Sequence, residues 1–375
     1  MRVLYISHDS GISGSTIALQ NLILCLRSKG VEPFVVCRNE GKLTQWLQEE
    51  QIPYCVFSYN WNYQPSKKTV RDKFAFAWRI YKYYREEKNA VNQLVKYCQV
   101  FTPDIIHTNN GIIHFGFKAA KRLGIKHVWH LREYQNLDFG MTPIPSMNSY
   151  KKMLQFSYCI SITEGVRNHF NLPKERCRVI YDAVVPMNSQ RYSSKKEDYY
   201  LFVGRIEASK GIEDLIKAYH LYVQNGGRTQ LLIAGVGKDE YVVSIKHMID
   251  NFKLTSFIKF LGFRNDCYDL MYKAKALIVP SRFEGFGFIT VEAIMNGCIV
   301  FGRNTAGTSE IASVCKNMVV LFDNIEQLAS LLMSDISIED SVVNMDQMIS
   351  NQMFTNEISA QTVYDYYLKI CNSAL

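Results

Sequence analysis

The sequence predicts an α/β fold built as two successive doubly wound domains. Short β-branched runs alternate with polar–apolar helical stretches along the chain. The alternation breaks at one polar stretch without periodicity and then restarts. The length, 375 residues, suits two domains of about 100–200 residues each.

In order, Val3–Ser7, Phe34–Cys37, Tyr54–Phe57, Ile105–Thr108, Val128–Leu131 and Ile160–Thr163 read as buried parallel strands. "PMNSQRYSSKKED", Pro186–Asp198, reads as a linker. The second series follows: Tyr200–Val203, Leu231–Ala234, Phe257–Leu261, Ala276–Val279, Ile299–Phe301 and Val319–Phe322. Domains are expected over 1–187 and 198–355. Ligands of such sheets sit beyond the carboxyl ends of the strands, so the expected site is a cleft between the domains.

Composition excludes several classes. Hydrophobic residues are 47% and charged residues 21% of the chain, enough to build ordinary cores. The opening "MRVLYIS" reaches His8 and Asp9 at once and reads as a strand, not a signal peptide. No stretch approaches the roughly 18 apolar residues of a spanning helix, so a soluble or surface-attached cytoplasmic protein is expected. Ten cysteines without a C-x-x-C pair or a Cys/His cluster argue against a zinc site and a disulfide scaffold, and fit a reducing compartment. The net charge of +8 suits anionic partners but is too diffuse for nucleic acid.

Three segments could handle phosphate. "SHDSGISGSTIAL" puts Gly11 and Gly14 between the first strand and a helix. It reads equally as a phosphate-approach loop and as a plain strand-to-helix turn. It lacks G-x-G-x-x-G, which removes the dehydrogenase reading. "LFVGRIEASKG" sets Arg205 and Lys210 between Gly204 and Gly211. Its Gly-Lys order is reversed from a P-loop. Two cations leaving a buried strand suit a diphosphate, the arginine as a fork and the lysine as a point charge. The other reading is an exposed loop with ordinary surface charge. "LLIAGVGKDE" lacks a third glycine and reads as a tight turn.

"SRFEGFGFITVEAIMNG" carries Glu284 and Glu292 in an otherwise apolar run. A buried carboxylate needs a polar answer. Glu292 falls inside a helix expected to begin near Phe288, and ribose hydroxyls are donors that would suit it. Glu284 lies in the loop before that helix, where it could meet sugar hydroxyls. A glutamate stabilised by a helix N-terminus, at roughly 0.3–1 kcal/mol, explains one of the pair but not both.

G-R-x-x-x-x-K-G at Gly204–Gly211, E-G-F-G with a second Glu eight positions after the first, "FLGF", "VPSRFEGFG" and "NTAGTSEI" together resemble the large retaining glycosyltransferase family with the GT-B fold, glycosyltransferase family 4 or group 1 type. The likeness is strong over Leu201–Ile311 and weaker in the first half. The resemblance implies two Rossmann-like domains facing across a cleft, acceptor-binding first and donor-binding second, with a C-terminal helix near 358–375 returning to the first. It implies that Arg205 and Lys210 hold the donor diphosphate and that Glu292 holds the ribose. Glu284 would hold sugar hydroxyls, helped by the backbone at Phe286, Gly287 and Phe288. Gly14 would let the first loop approach the diphosphate, and Gly262 and Phe263 would lie by the base. His130, in "HVWHL", would face the transferred sugar; by itself it reads equally as a core histidine. One departure stands out: Asp182-Ala183 replaces the Asn-Gly of many relatives.

The implied donor is a nucleotide-diphosphate sugar, UDP ahead of GDP, and the acceptor a saccharide or lipid-linked saccharide in cell-surface polysaccharide synthesis such as capsule or exopolysaccharide. No D-x-D pair is present, so no metal or other cofactor is expected, and the resemblance implies retention at the anomeric carbon. Lys67–Lys96 is basic and rich in aromatics. It reads either as a helix with one face in the core or as a peripheral contact with anionic membrane. The alternatives for the whole chain are a nucleotide-sugar epimerase of the same fold and a non-catalytic nucleotide-sugar-binding subunit.

Overall fold

The computed structural model describes residues 1–11, 13–65, 70–183, 185–334 and 340–373. The chain forms two compact units, Met1–Ala183 with Asn356–Leu375, and Val184–Thr355.

The first unit holds β1 (Arg2–Ile6), β2 (Glu32–Cys37), β3 (Tyr54–Val56), β4 (Tyr63–Pro65), β5 (Ile105–Thr108), β6 (Lys126–Leu131), β7 (Met141–Pro143), β8 (Tyr158–Ser161) and β9 (Cys177–Val179). Seven of these make a parallel sheet ordered β3-β2-β1-β5-β6-β8-β9, and β4 pairs with β7 in a small antiparallel ribbon. The central strands β1, β5, β6 and β8 are buried on both faces over most of their length. On one face Val3, Tyr5, Val35 and Val128 pack with Leu19 and Leu22 of the helix Gly14–Arg27. The helix Asn356–Asn372 joins that core through Val363, Tyr367 and Ile370, so the end of the sequence completes the first unit.

The second unit holds β10 (Tyr199–Val203), β11 (Gln230–Ala234), β12 (Ile258–Gly262), β13 (Ala276–Val279), β14 (Ile299–Arg303) and β15 (Val319–Phe322), all parallel, in the order β12-β11-β10-β13-β14-β15. In both sheets the order reverses beside the first strand, between β1 and β5 and between β10 and β13. Loops leaving those strands in opposite directions open a crevice at the carboxyl edge, where ligands of open sheets bind.

Two features differ from the sequence expectation. The strands β4, β7 and β9 are three residues each, too short to show a period. The segment expected as a linker is anchored to the second unit. Arg191 donates to Asn296 Oδ1 at 2.5 Å and pairs with Asp269, and Lys196 donates to the carbonyls of Tyr272 and Gly297.

Within the basic region, residues 67–69 lie outside the described residues. The remainder, from Val70, falls on the helix Val70–Phe101. Ala90, Leu94 and Cys98 are buried, while Trp78, Tyr81 and Tyr84 are exposed, so the helix has a core face with aromatics outside it.

Candidate functional site

Three of the sequence-predicted residues of the second unit lie on the loops that flank its switch point. Arg205 and Lys210 lie on the loop leaving β10, and Glu284 on the loop leaving β13. Lys210 Nζ donates to Glu284 Oε1 at 2.7 Å, and both side chains are mostly buried. Arg205 extends outward at 63% exposure, touching Glu207 Oε1 at 3.1 Å. The structure thus brings Lys210 and Glu284 into direct contact and leaves Arg205 paired with Glu207 and largely exposed.

A backbone tie holds the two loops together, Arg282 N donating to Ser209 O at 3.1 Å, and Gly307 N, in the helix Ala306–Val314, donates to Glu284 O at 2.9 Å. Gly211 is required between them. Its φ is 69°, and a Cβ there would run into the carbonyl of Pro280. Beneath, Arg303 bonds both Pro280 O at 3.0 Å and Asp214 at 2.6 Å, a support that no sequence motif announces.

The helix Phe288–Met295 begins where the sequence places it, behind Gly287 at φ 96°. No side-chain cap bonds its first turn, where Thr290 N donates to Gly287 O at 2.9 Å. Phe286 is buried and stacks edge-on against Phe288 at 5.5 Å. Glu292 is largely enclosed, and burial pushes its carboxyl up from the ordinary value, opposed by a hydrogen bond from Tyr268 Oη at 3.2 Å. Tyr268 was not among the expected residues; it comes from a different helix and nothing in its neighbourhood marks it. Gly262, at φ 68°, ends β12, and Phe263 beyond it is 73% exposed.

The remaining expected residues belong to the first unit. Gly14 opens the helix Gly14–Arg27, whose first turn is capped by Ser13 accepting from Thr16 N at 3.3 Å. His130 is buried on β6. Its Nδ1 lies 3.2 Å from Arg132 Nη2, and its Nε2 is 3.5 Å from Asp182 Oδ1. Burial, then Arg132 and His107, hold its pKa well below the usual histidine range. Both ring nitrogens therefore lie near buried charged groups, and Nε2 is buried without a hydrogen bond among the described residues. Arg132 Nη1 bonds Asp182 Oδ2, which accounts for the Asp182-Ala183 departure: the aspartate answers a buried arginine. Burial raises the Asp182 carboxyl and Arg132 lowers it.

Two parallel sheets of this order, each with its loops at the switch point, define a protein of the GT-B class. Residues 187–352, all within the second unit, match the model of the family described as glycosyl transferases group 1. An uncharacterized glycosyltransferase of Methanocaldococcus jannaschii is 26% identical over 272 residues, 64% of this chain and 69% of that protein. The O-antigen chain mannosyltransferase RfbU of Salmonella typhimurium is 30% identical over 154 residues, 40% of this chain and 41% of that one. Among solved structures, Anabaena HepE in complex with UDP superposes with a TM-score of 0.79 at 19% identity, covering 98% of this chain and 100% of that one.

Among the described residues no group of three or more acidic, histidine or cysteine side chains is placed to hold a metal, and no helix is long and apolar enough to cross a membrane.

Proposed function

We propose that this glycosyltransferase moves a sugar from a UDP-sugar to a hydroxyl of a saccharide or lipid-linked saccharide in cell-surface polysaccharide synthesis, with retention and without a metal. The observation that carries this reading is the Lys210–Glu284 contact at the switch point, with Arg205 exposed beside it. In this reading Arg205 and Lys210 receive the diphosphate, and Lys210 exchanges part of its bond to Glu284 for phosphate oxygens. Glu284 then accepts from hydroxyls of the transferred sugar. The uncapped first turn at Phe288 offers amide donors to the same phosphates. Glu292 accepts from the ribose, and Gly262 and Phe263 flank the base. UDP is favoured over GDP by the HepE complexes. The cell-surface acceptor is supported by the O-antigen relative.

The reaction breaks the bond between the anomeric carbon and the β-phosphate oxygen. The acceptor oxygen bonds that carbon from the same face, and its proton passes to the departing phosphate. Fixed cations where negative charge develops supply the main stabilisation. A trapped glycosyl-enzyme adduct would overturn the front-face route.

The test is thermal unfolding with UDP, GDP and ADP, each with and without EDTA, on wild type and Glu292→Ala. Nucleotide at a hundredfold over its dissociation constant adds about 2.7 kcal/mol. UDP alone should stabilise the wild type, insensitive to EDTA, with the shift lost in the variant. No shift with any nucleotide would sink the donor-site reading.

Peripheral membrane contact is proposed for the exposed side of the helix Val70–Phe101, where Trp78, Tyr81 and Tyr84 stand beside Arg79, Lys82 and Arg85. Charge reversal of these three cations should abolish co-sedimentation with anionic vesicles; unchanged binding would remove the proposal.

A further inference from the structure

Beyond β5 and β6 the first unit carries a second polar group that the donor-site reading does not use. Glu133, just past β6, is half-buried. Its Oε2 accepts from Gln135 Nε2 at 3.1 Å and from Asn110 Nδ2 at 3.4 Å. The amide orientations are fixed by their other partners. Asn110 Oδ1 accepts from Ile112 N at 3.1 Å and from Gln135 Nε2 at 3.2 Å, so its nitrogen must turn toward Glu133. Among the described residues, Glu133 forms no ion pair and its Oε1 makes no hydrogen bond. Two neutral amides orient this carboxylate without neutralising it, and its second oxygen is left for another donor.

The backbone beneath is strained. Gln135 sits at φ 67° and ψ −63°, and Asn136 N donates to Tyr134 O at 2.8 Å. This is the positive-φ γ-turn, rare for any residue other than glycine. A non-glycine residue held there costs about 1–3 kcal/mol, and such residues cluster at ligand sites. The strained turn is what aims the Gln135 amide at Asn110 and Glu133. The group also lies where the topology places ligands: Asn110 follows β5, which borders the switch point, and Glu133 follows the neighbouring strand.

We propose that Glu133, oriented by Asn110 and Gln135, binds a sugar hydroxyl, that of the acceptor saccharide in the first instance. A carboxylate with a free oxygen is a strong acceptor for a hydroxyl donor. Burial, followed by Asp138, raises its pKa, and the two amides and Arg132 oppose that. The proposal rests on the glycosyltransferase reading above. The same chemistry would serve a hydroxyl of the transferred sugar, and the test separates the two.

The test compares wild type with Glu133→Gln, which keeps the shape and removes the charge, and with Gln135→Gly, which relieves the strain and removes the amide. UDP-induced thermal stabilisation is measured first; its absence from the wild type would indict the donor reading and not Glu133. UDP release is then followed from UDP-glucose, UDP-galactose and UDP-N-acetylglucosamine, with methyl glucoside, galactoside and mannoside as acceptors. Saturation-transfer NMR on the same methyl glycosides reads binding without turnover. The expected result is a KM for the glycoside raised at least tenfold in Glu133→Gln, with the KM for the UDP-sugar moved less than twofold and the glycoside NMR signal lost. A raised donor KM with an unchanged glycoside KM would assign the carboxylate to the transferred sugar. Glycoside binding and both KM values unchanged in a folded Glu133→Gln would overturn the proposal.

Discussion

Lys210 and Glu284 each neutralise the other in the absence of ligand, so losing either leaves an uncompensated charge in a mostly buried place. Arg205 has no such dependence, being largely exposed. Arg205→Ala should therefore leave the unfolding midpoint within about 0.5 kcal/mol of wild type, while lowering kcat by about a hundredfold or more if it meets the leaving diphosphate. Steady-state kinetics beside a urea titration separates the two effects; equal kcat would remove Arg205 from the machinery. The Arg132–Asp182 pair behaves in the opposite way. Both side chains are buried, and Asp182→Ala strands the guanidinium. A loss of about 3–5 kcal/mol is expected in urea unfolding. A loss under 1 kcal/mol would mean that water answers Arg132.

At the scale of elements, the site depends on two loops meeting at one glycine. Gly211→Ala places a methyl against the Pro280 carbonyl and forces a side chain into φ 69°. The loops must part, so destabilisation of more than about 1 kcal/mol is expected. The UDP-induced thermal shift should shrink with it, because Lys210 is the preceding residue. Retention of the full UDP shift would show that the Lys210–Glu284 geometry does not matter for nucleotide. The helix Asn356–Asn372 is a structural counterpart. Val363, Tyr367 and Ile370 fill the first unit's core, and Tyr367 Oη meets His107 Nδ1 at 2.6 Å. Truncation before residue 356 should give aggregated protein, read by size-exclusion chromatography.

For the whole molecule, the distribution of histidines sets the acid response. His107, His114, His127 and His130 are all buried in the first unit, and burial lowers each pKa, that of His127 to about 3. In the unfolded chain each titrates near 6.5. Below that pH the unfolded state gains up to four protons that the folded state does not take, so stability falls as pH falls. The slope approaches about 5 kcal/mol per pH unit between pH 6 and 5, at roughly 1.4 kcal/mol per proton. Hydrogen exchange over that range should show the first unit opening before the second. Simultaneous opening, or a midpoint flat from pH 7 to 5, would contradict the assignment of these histidines as neutral and buried.

The sequence by itself determined the class of fold and the outline of the proposed donor site. Unbroken β-branched runs are buried parallel strands wherever they occur, because only a sheet covered on both faces hides them. G-R-x-x-x-x-K-G and the paired glutamates were legible because their chemistry is local: cations after a strand, glycines at a turn, carboxylates at a helix start. Only the tertiary structure decided the pairings. Lys210 meets Glu284 across 74 positions, Arg132 meets Asp182 across 50, Arg303 meets Asp214 across 89, and Tyr268 reaches Glu292 from a separate helix. No period or spacing encodes such contacts, because the sheet order that creates them follows from packing. The same holds for Glu133. Its sequence neighbours give an ordinary charged strand end, and its meaning arises when β5 lies beside β6 and brings Asn110 to it.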